Sequence, residues 1–130
     1  MKIFTPIIFI VLLSVIFSCQ KNKEEKITGK WQFVYLTNAG NTVQTWSFNS
    51  DNSLIRSIIT DSTISDTAKW DIQAKAFSRS DLIITSLNYD INGVYEVLTL
   101  NKKFLIIERI AFVDGNTDGT FSRLEFVKSK

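Results

Sequence analysis

The stretch whose residue types and spacing most closely match a chemical device is Asp114-Gly115-Asn116-Thr117-Asp118-Gly119-Thr120-Phe121-Ser122-Arg123-Leu124-Glu125. Oxygen-bearing side chains at loop positions 1, 3 and 5, glycine at 6 and glutamate at 12 are the pattern that wraps a calcium ion between two helices. Asp114, Asn116, Asp118 and Glu125 are therefore candidate calcium ligands. The flanks do not supply the helices. Phe104–Val113 is β-branched and aromatic, and the sequence runs only five residues past Glu125. A hairpin turn needs the same Asp, Asn and Gly for backbone reasons and would lay Glu125 along a strand. The hairpin is the favoured reading, with calcium kept as the alternative.

Other catalytic devices lack their parts. The 130 residues include no His and one Cys, which removes Ser-His-Asp and Cys-His catalysis, an intramolecular disulfide and a thiolate zinc site. Asp61, Asp66, Asp71, Asp81 and Asp90 are scattered beside turns, with no pair in an apolar setting that would separate two pKa values. Lys102-Lys103 reads as a turn, and no Gly-rich phosphate loop occurs. The expectation is a non-enzymatic protein without a cofactor. From Thr28 to Lys130 the chain carries eleven Lys/Arg and eleven Asp/Glu. That balance lacks the basic surplus a nucleic-acid binder uses to neutralise phosphates.

The one cysteine has a telling position. Lys2 precedes an apolar run, Ile3–Phe17, that ends at Ser18-Cys19. Its fifteen residues fall short of the roughly 20 needed to span a bilayer and suit the hydrophobic region of an export signal. Ile16-Phe17-Ser18-Cys19 resembles a bacterial lipobox, with Phe17 bulkier than usual at its place. The resemblance implies cleavage after residue 18 and a lipoprotein whose Cys19 carries a thioether diacylglycerol and an acylated amine, palmitate-type chains that hold it to a membrane. Gln20 is not the Asp that retains such proteins at the inner membrane, so the outer membrane is expected, facing the periplasm or the surface. Gln20-Lys21-Asn22-Lys23-Glu24-Glu25 resembles the export tag of surface lipoproteins in Bacteroidetes. Residues 19–27 read as a flexible tether reaching about 15 Å by random-coil scaling.

Positioning falls to the remainder, residues 28–130. Trp31, Phe33 and Tyr35 alternate with polar or smaller residues, as do Trp46 and Phe48, and Trp70 and Ile72, the period of strands with one face on a core. Further runs are Leu54–Ile59, Leu82–Thr85, Val94–Leu100, Phe104–Val113 and Phe121–Val127. Turn signals separate them: Asn38–Asn41, Asn49–Asn52, Asn92-Gly93, Asn101–Lys103 and Asp114–Asn116. The fold class is all-β, an eight-stranded antiparallel meander closed into a barrel that leaves no exposed edge. Thr60–Thr67 reads as a polar rim loop, and Gln73–Ser80 as a weak helical insertion.

Ile27-Thr28-Gly29-Lys30-Trp31 resembles the Gly-x-Trp opening of lipocalin-type barrels. Trp46-Ser47-Phe48, Lys69-Trp70-Asp71-Ile72, Tyr95-Glu96-Val97 and Phe104-Leu105-Ile106-Ile107 follow in the order of small lipocalin-like lipoproteins of Bacteroidetes. The resemblance implies a barrel floor where Trp31 packs under an arginine of the last strand, Arg123, with Arg109 as substitute. It also implies an interior that is either filled or holds one small ligand. Trp31, Phe33, Tyr35, Trp46, Phe48, Trp70 and Tyr95 would line such a cavity or simply form the core. The expected function is a lipid-anchored barrel that binds a small apolar ligand or an envelope protein. The alternatives are an interaction module with a filled core and the calcium-binding variant.

Overall fold

The computed structural model describes residue 10 and residues 18–35, 40–119 and 122–130. The apolar run read as an export signal, apart from Ile10, lies outside these residues, as do Phe121 and part of the first turn signal. Among the described residues no helix is long and apolar enough to cross a membrane.

Eight strands follow in order: β1 (Gly29–Phe33), β2 (Val43–Phe48), β3 (Ser53–Ile59), β4 (Thr63–Ala74), β5 (Ser80–Thr85), β6 (Gly93–Leu100), β7 (Phe104–Ala111) and β8 (Arg123–Lys128). Each pairs antiparallel with the next, and β8 pairs with β1, so the sheet is a closed barrel of lipocalin-like architecture. Residues 18–27 form a helix, α1, that precedes it. Sequential antiparallel pairing needs only short turns, and closure satisfies every edge that an open sheet would leave bare. The expected all-β meander barrel is the fold observed.

Three boundaries differ from the sequence expectation. The polar run at Thr60–Thr67 turns only at residues 60–62 and then enters β4, where Thr63 to Lys69 pair residue by residue with β3. The ladder uses backbone groups, so polar side chains are no obstacle on an outward face. The stretch Gln73–Ser80 is not helical: β4 runs to Ala74 and a turn carries Phe77 and Ser78 at positive φ, 60° and 61°. Residues 19–27 are helical and not an extended tether, and Ile27 is fully buried in the core.

The helix ends as it does because the barrel receives it. Glu24 O accepts from Thr28 N (3.1 Å) and Thr28 Oγ1 (2.7 Å), and Ile27 O accepts from Trp31 Nε1 (2.7 Å). These bonds answer carbonyls that a helix C-terminus leaves without partners. Lys128 Nζ donates to Thr28 O (2.7 Å) and lies 4.4 Å from the centre of the Trp31 ring. It brings a cation to the negative end of the helix dipole and to the ring face together. Trp31 and Lys128 are cross-strand partners in the β1–β8 register. Gly29 sits at φ +127°, which favours glycine, and a Cβ there would push the Lys128 ammonium out of this place.

The floor cation is thus Lys128 and not Arg123. Arg123 opens β8 with its side chain half exposed, donating from Nε to Glu125 Oε1 at 3.0 Å. Strand alternation decides this: Leu124, Phe126 and Lys128 share the inward face, which turns Arg123 outward. Arg109 does face inward, but toward the other end of the barrel.

Above the floor, aromatic rings fill the interior. Trp46 and Phe126 centroids lie 5.0 Å apart, Phe48 and Trp70 5.7 Å and Phe33 and Phe126 5.4 Å. Leu54, Ile72, Leu82, Ile84, Leu105 and Ile107 are fully buried around them. With no disulfide, this packing carries the stability. Trp31→Ala removes the floor and is expected to cost about 3–5 kcal/mol in denaturant unfolding, whereas Arg123→Ala changes stability by less than about 0.5 kcal/mol. The reverse ranking would return the floor role to Arg123.

Candidate functional site

The two ends of the barrel differ. Alternating strand directions place α1, the turns at 49–52, 75–79 and 101–103 and the C-terminus at one end, closed by Ile27, Trp31 and Lys128. The connections at 34–42, 60–62, 86–92 and 112–122 lie at the other. Inward residues near that second end, Phe33, Gln44, Ile58, Asp66, Arg109 and Leu124, are only half-buried. The interior is sealed below and partly accessible above.

Its upper half is polar. Arg56 is buried and reaches from β3 to Asp66 on β4 through both Nε (3.0 Å) and a terminal nitrogen of the guanidinium. The two residues are direct register partners, so their inward side chains meet by strand geometry alone. Asn88 Nδ2 also donates to Asp66, at 3.3 Å. Arg109 on β7 donates from one terminal nitrogen to the carbonyls of Asp90 (3.0 Å), Asn92 (3.3 Å) and Tyr89 (3.4 Å). Its guanidinium carbon lies 4.6 Å from the Phe112 ring centre and 6.0 Å from that of Tyr95. Arg109 therefore clamps the β5–β6 connection, whose Ile91 is driven into the core and whose Ile91 O accepts from Tyr95 Oη at 2.9 Å. Gly93 leaves the clamp room: a Cβ there would sit 2.6 Å from Arg109 Cδ and 2.8 Å from Ala111 O.

Two donors in this region are buried without partners, Trp46 Nε1 and Arg109 Nε. Trp46 pairs directly with Arg56 in the β2–β3 register, which sets the indole beside that arginine, while Arg109 stands next to Tyr95 on the β6–β7 side. Burying such donors unpaired costs about 1–3 kcal/mol each, and native interiors rarely leave them so. The arrangement suits a group that accepts hydrogen bonds and tolerates, or carries, negative charge.

The seven aromatics marked in the sequence divide between these regions. Trp31, Phe48 and Trp70 belong to the sealed packing, and Trp70 Nε1 is occupied by the carbonyls of Asn49 and Ser53, each at 3.1 Å. Trp46 and Tyr95 stand at the boundary. Phe33 and Tyr35 form an edge-on pair near the open end (4.8 Å), and Tyr35 Oη donates to Gln44 Oε1 at 3.2 Å. Arg56, Asp66 and Arg109 were not sequence candidates for this site. The signal available was an arginine on the inward phase of an apolar strand, Leu54-x-Arg56-x-Ile58, where a solvent-facing charge is expected to fall on the other phase.

The calcium candidates are not assembled. Asp114 Oδ1 accepts from Asn116 N (2.9 Å) and Asn116 Oδ1 from Asp118 N (3.0 Å), so these side chains shape their own loop. Glu125 lies along β8 opposite Ile106 and pairs with Arg123. Among the described residues no three acidic, His or Cys side chains are grouped to hold a metal ion. Cys19 is exposed on α1. No family model matches the chain, and no curated protein is similar enough to it to carry an argument.

Burial raises the Tyr95 hydroxyl above its ordinary value near 10, with Arg109 and then Arg56 opposing the shift. A pKa raised on folding contributes stability that is intact below about pH 10 and lost as pH climbs through the folded value. Burial lowers Lys128 below 10.5, and a lowered lysine acts in the opposite sense, its cost fading as pH rises. Tyr95→Phe is accordingly expected to flatten the loss of stability above about pH 10, measured as midpoint against pH. An unchanged alkaline limb would show that Tyr95 does not set it.

Proposed function

We propose that this protein is a lipid-anchored lipoprotein of the bacterial cell envelope whose barrel binds a small molecule with an apolar body and a hydrogen-bond-accepting, acidic head. The observation that carries the ligand reading is the pair of buried, unpartnered donors, Trp46 Nε1, whose register partner is Arg56, and Arg109 Nε, in the upper part of a barrel sealed at its other end. An apolar chain would contact Phe33, Tyr35 and Leu124, and its head would take the free donors. The reading is of a binder and not a catalyst, since the chain has no His and its carboxylates stand apart. The lipobox-like Ile16-Phe17-Ser18-Cys19 and the order of strand motifs, which resemble lipocalin-like lipoproteins of Bacteroidetes, support the anchor and an outer-membrane address.

The ligand reading is tested by titrating a fatty acid and its methyl ester while following Trp fluorescence. The acid is expected to quench or shift Trp46 emission and to bind at least about tenfold tighter than the ester, the worth of one charge-assisted hydrogen bond. Arg109→Gln should erase that preference. Equal binding of acid and ester, or no change in emission with either, rejects an acid-reading interior. The anchor has a separate test: mass spectrometry of the protein extracted from membranes is expected to give a terminal peptide starting at acylated Cys19, and an intact Met1 terminus refutes it.

A second reading has its own support. The open rim exposes Ile59, Ile64, Leu87, Tyr89 and Val113, an apolar ring suited to docking an envelope protein. It gains if neither acid nor ester enters the barrel.

A further inference from the structure

Charge is divided along the barrel axis. At the closed end, α1 carries Lys21, Lys23 and Lys26 with Glu24 and Glu25, and the turn at 49–52 carries Asp51. The turn at 75–79 adds Lys75 and Arg79, the turn at 101–103 adds Lys102 and Lys103, and the C-terminal segment adds Lys128 and Lys130. Nine cations there face five carboxylates, counting Asp81 and Glu96, which pair with Lys75 and Arg79 at the adjoining strand ends. The four connections at the open end hold Asp61, Asp90, Asp114 and Asp118 and neither Lys nor Arg. A chain almost neutral overall, at +2, is positive below and negative above.

The basic end also projects aromatic side chains. Phe77, at the tip of the β4–β5 turn, is 96% exposed, and Phe104 at the start of β7 is 47% exposed. Phe77 and Ser78 hold the left-handed conformation, which L side chains disfavour. That strained turn is fastened to the helix, with Lys23 Nζ donating to Ser78 O (3.1 Å), Arg79 O (3.2 Å) and Ser80 Oγ. The surface is continuous: Lys23, Lys26 and Ser78 line one cleft, Lys26, Lys102 and Lys128 the next, and Lys103, Phe104 and Lys130 the one beyond. Cys19 lies on the same helix.

We propose that the closed end is a docking face for an anionic phospholipid surface, which stands the barrel on the membrane with its open end pointing away. This deepens the anchoring proposal: lysines near a bilayer attract anionic headgroups, exposed Phe side chains settle at the headgroup boundary, and the Asp-bearing rim is repelled. An acyl anchor alone fixes distance; the basic, aromatic floor fixes orientation. Phe77 on one turn and Lys103 and Phe104 at the neighbouring turn form a base that a single tether point does not provide.

The chain beginning at Gln20 has the whole barrel, α1 but for its first two residues and every core residue from Ile27 to Phe126, so it folds without signal or anchor. Sedimentation of this chain with phosphatidylglycerol-containing vesicles and with pure phosphatidylcholine vesicles tests the face independently of acylation. Binding is expected only to the anionic vesicles and to fall with salt. K102E/K103E should weaken it more than tenfold, F77S severalfold, and D114N/D118N not at all, with melting temperatures checked for each. Equal binding to both vesicles, no binding to either, or undiminished binding by a folded K102E/K103E protein overturns the docking face. A failed docking face with acylated Cys19 leaves the anchor standing, and an unacylated Cys19 with anionic-selective binding leaves the docking face standing.

Discussion

The seam between β1 and β8 is the contact on which the rest of the structure depends. Three register pairs, Trp31 with Lys128, Gln32 with Val127 and Phe33 with Phe126, join the first strand to the last. Without them an eight-stranded meander would present two bare edges and an uncovered core. The seam is reinforced at the closed end, because the Lys128 ammonium meets the Trp31 face and the carbonyl of Thr28, just past the helix, together. Burying that ammonium is unfavourable by itself, which its lowered pKa records. Ring and carbonyl offset the loss of water, and Gly29 leaves the space in which all three meet.

With the floor closed this way, hydrophobic packing can fill the lower barrel and polar groups collect above. The Arg56–Asp66 pair and the Arg109 clamp are not the cheapest way to stabilise a core, since ion pairs of this kind often do no better than apolar replacements. Their value lies in position. Arg109 holds the 86–92 connection by its carbonyls and so keeps Ile91 and Tyr95 in place, while its own Nε and the Trp46 indole remain buried and unpaired. The result is a sealed apolar base below a donor-rich, partly accessible top.

Much of the fold was legible from residue order because the signals are local. Alternation in Trp31–Tyr35, Trp46–Phe48 and Trp70–Ile72, punctuated by Asn- and Gly-rich turns, calls for short amphipathic strands. A Pro-free run of eight such strands calls for closure. Misread segments were those where local chemistry and tertiary demand diverge. Thr63–Thr67 is polar yet pairs in a ladder that reads backbone groups only. Residues 19–27 look like a solvated tether, yet they form a helix because the barrel floor accepts Ile27 and bonds the last carbonyls. The EF-hand-like spacing at Asp114–Glu125 is genuine in one dimension and dissolved in three, since strand β8 carries Glu125 away from the turn.

By itself the sequence determined the all-β class, the inward phase of the strands that carry Trp31, Trp46 and Trp70, the single Cys at the end of an apolar run, and the absence of His-based chemistry. These depend on composition and on periods of two residues, which any stretch of chain displays. The tertiary structure alone decided which cation closes over Trp31 and which polar side chains converge, because register between strands sets those distances. Arg56 meets Asp66 ten residues away, Arg109 reaches carbonyls seventeen to twenty residues back, and Lys128 caps Thr28 one hundred residues earlier. Spacing along the chain cannot encode such meetings; the closed sheet makes them.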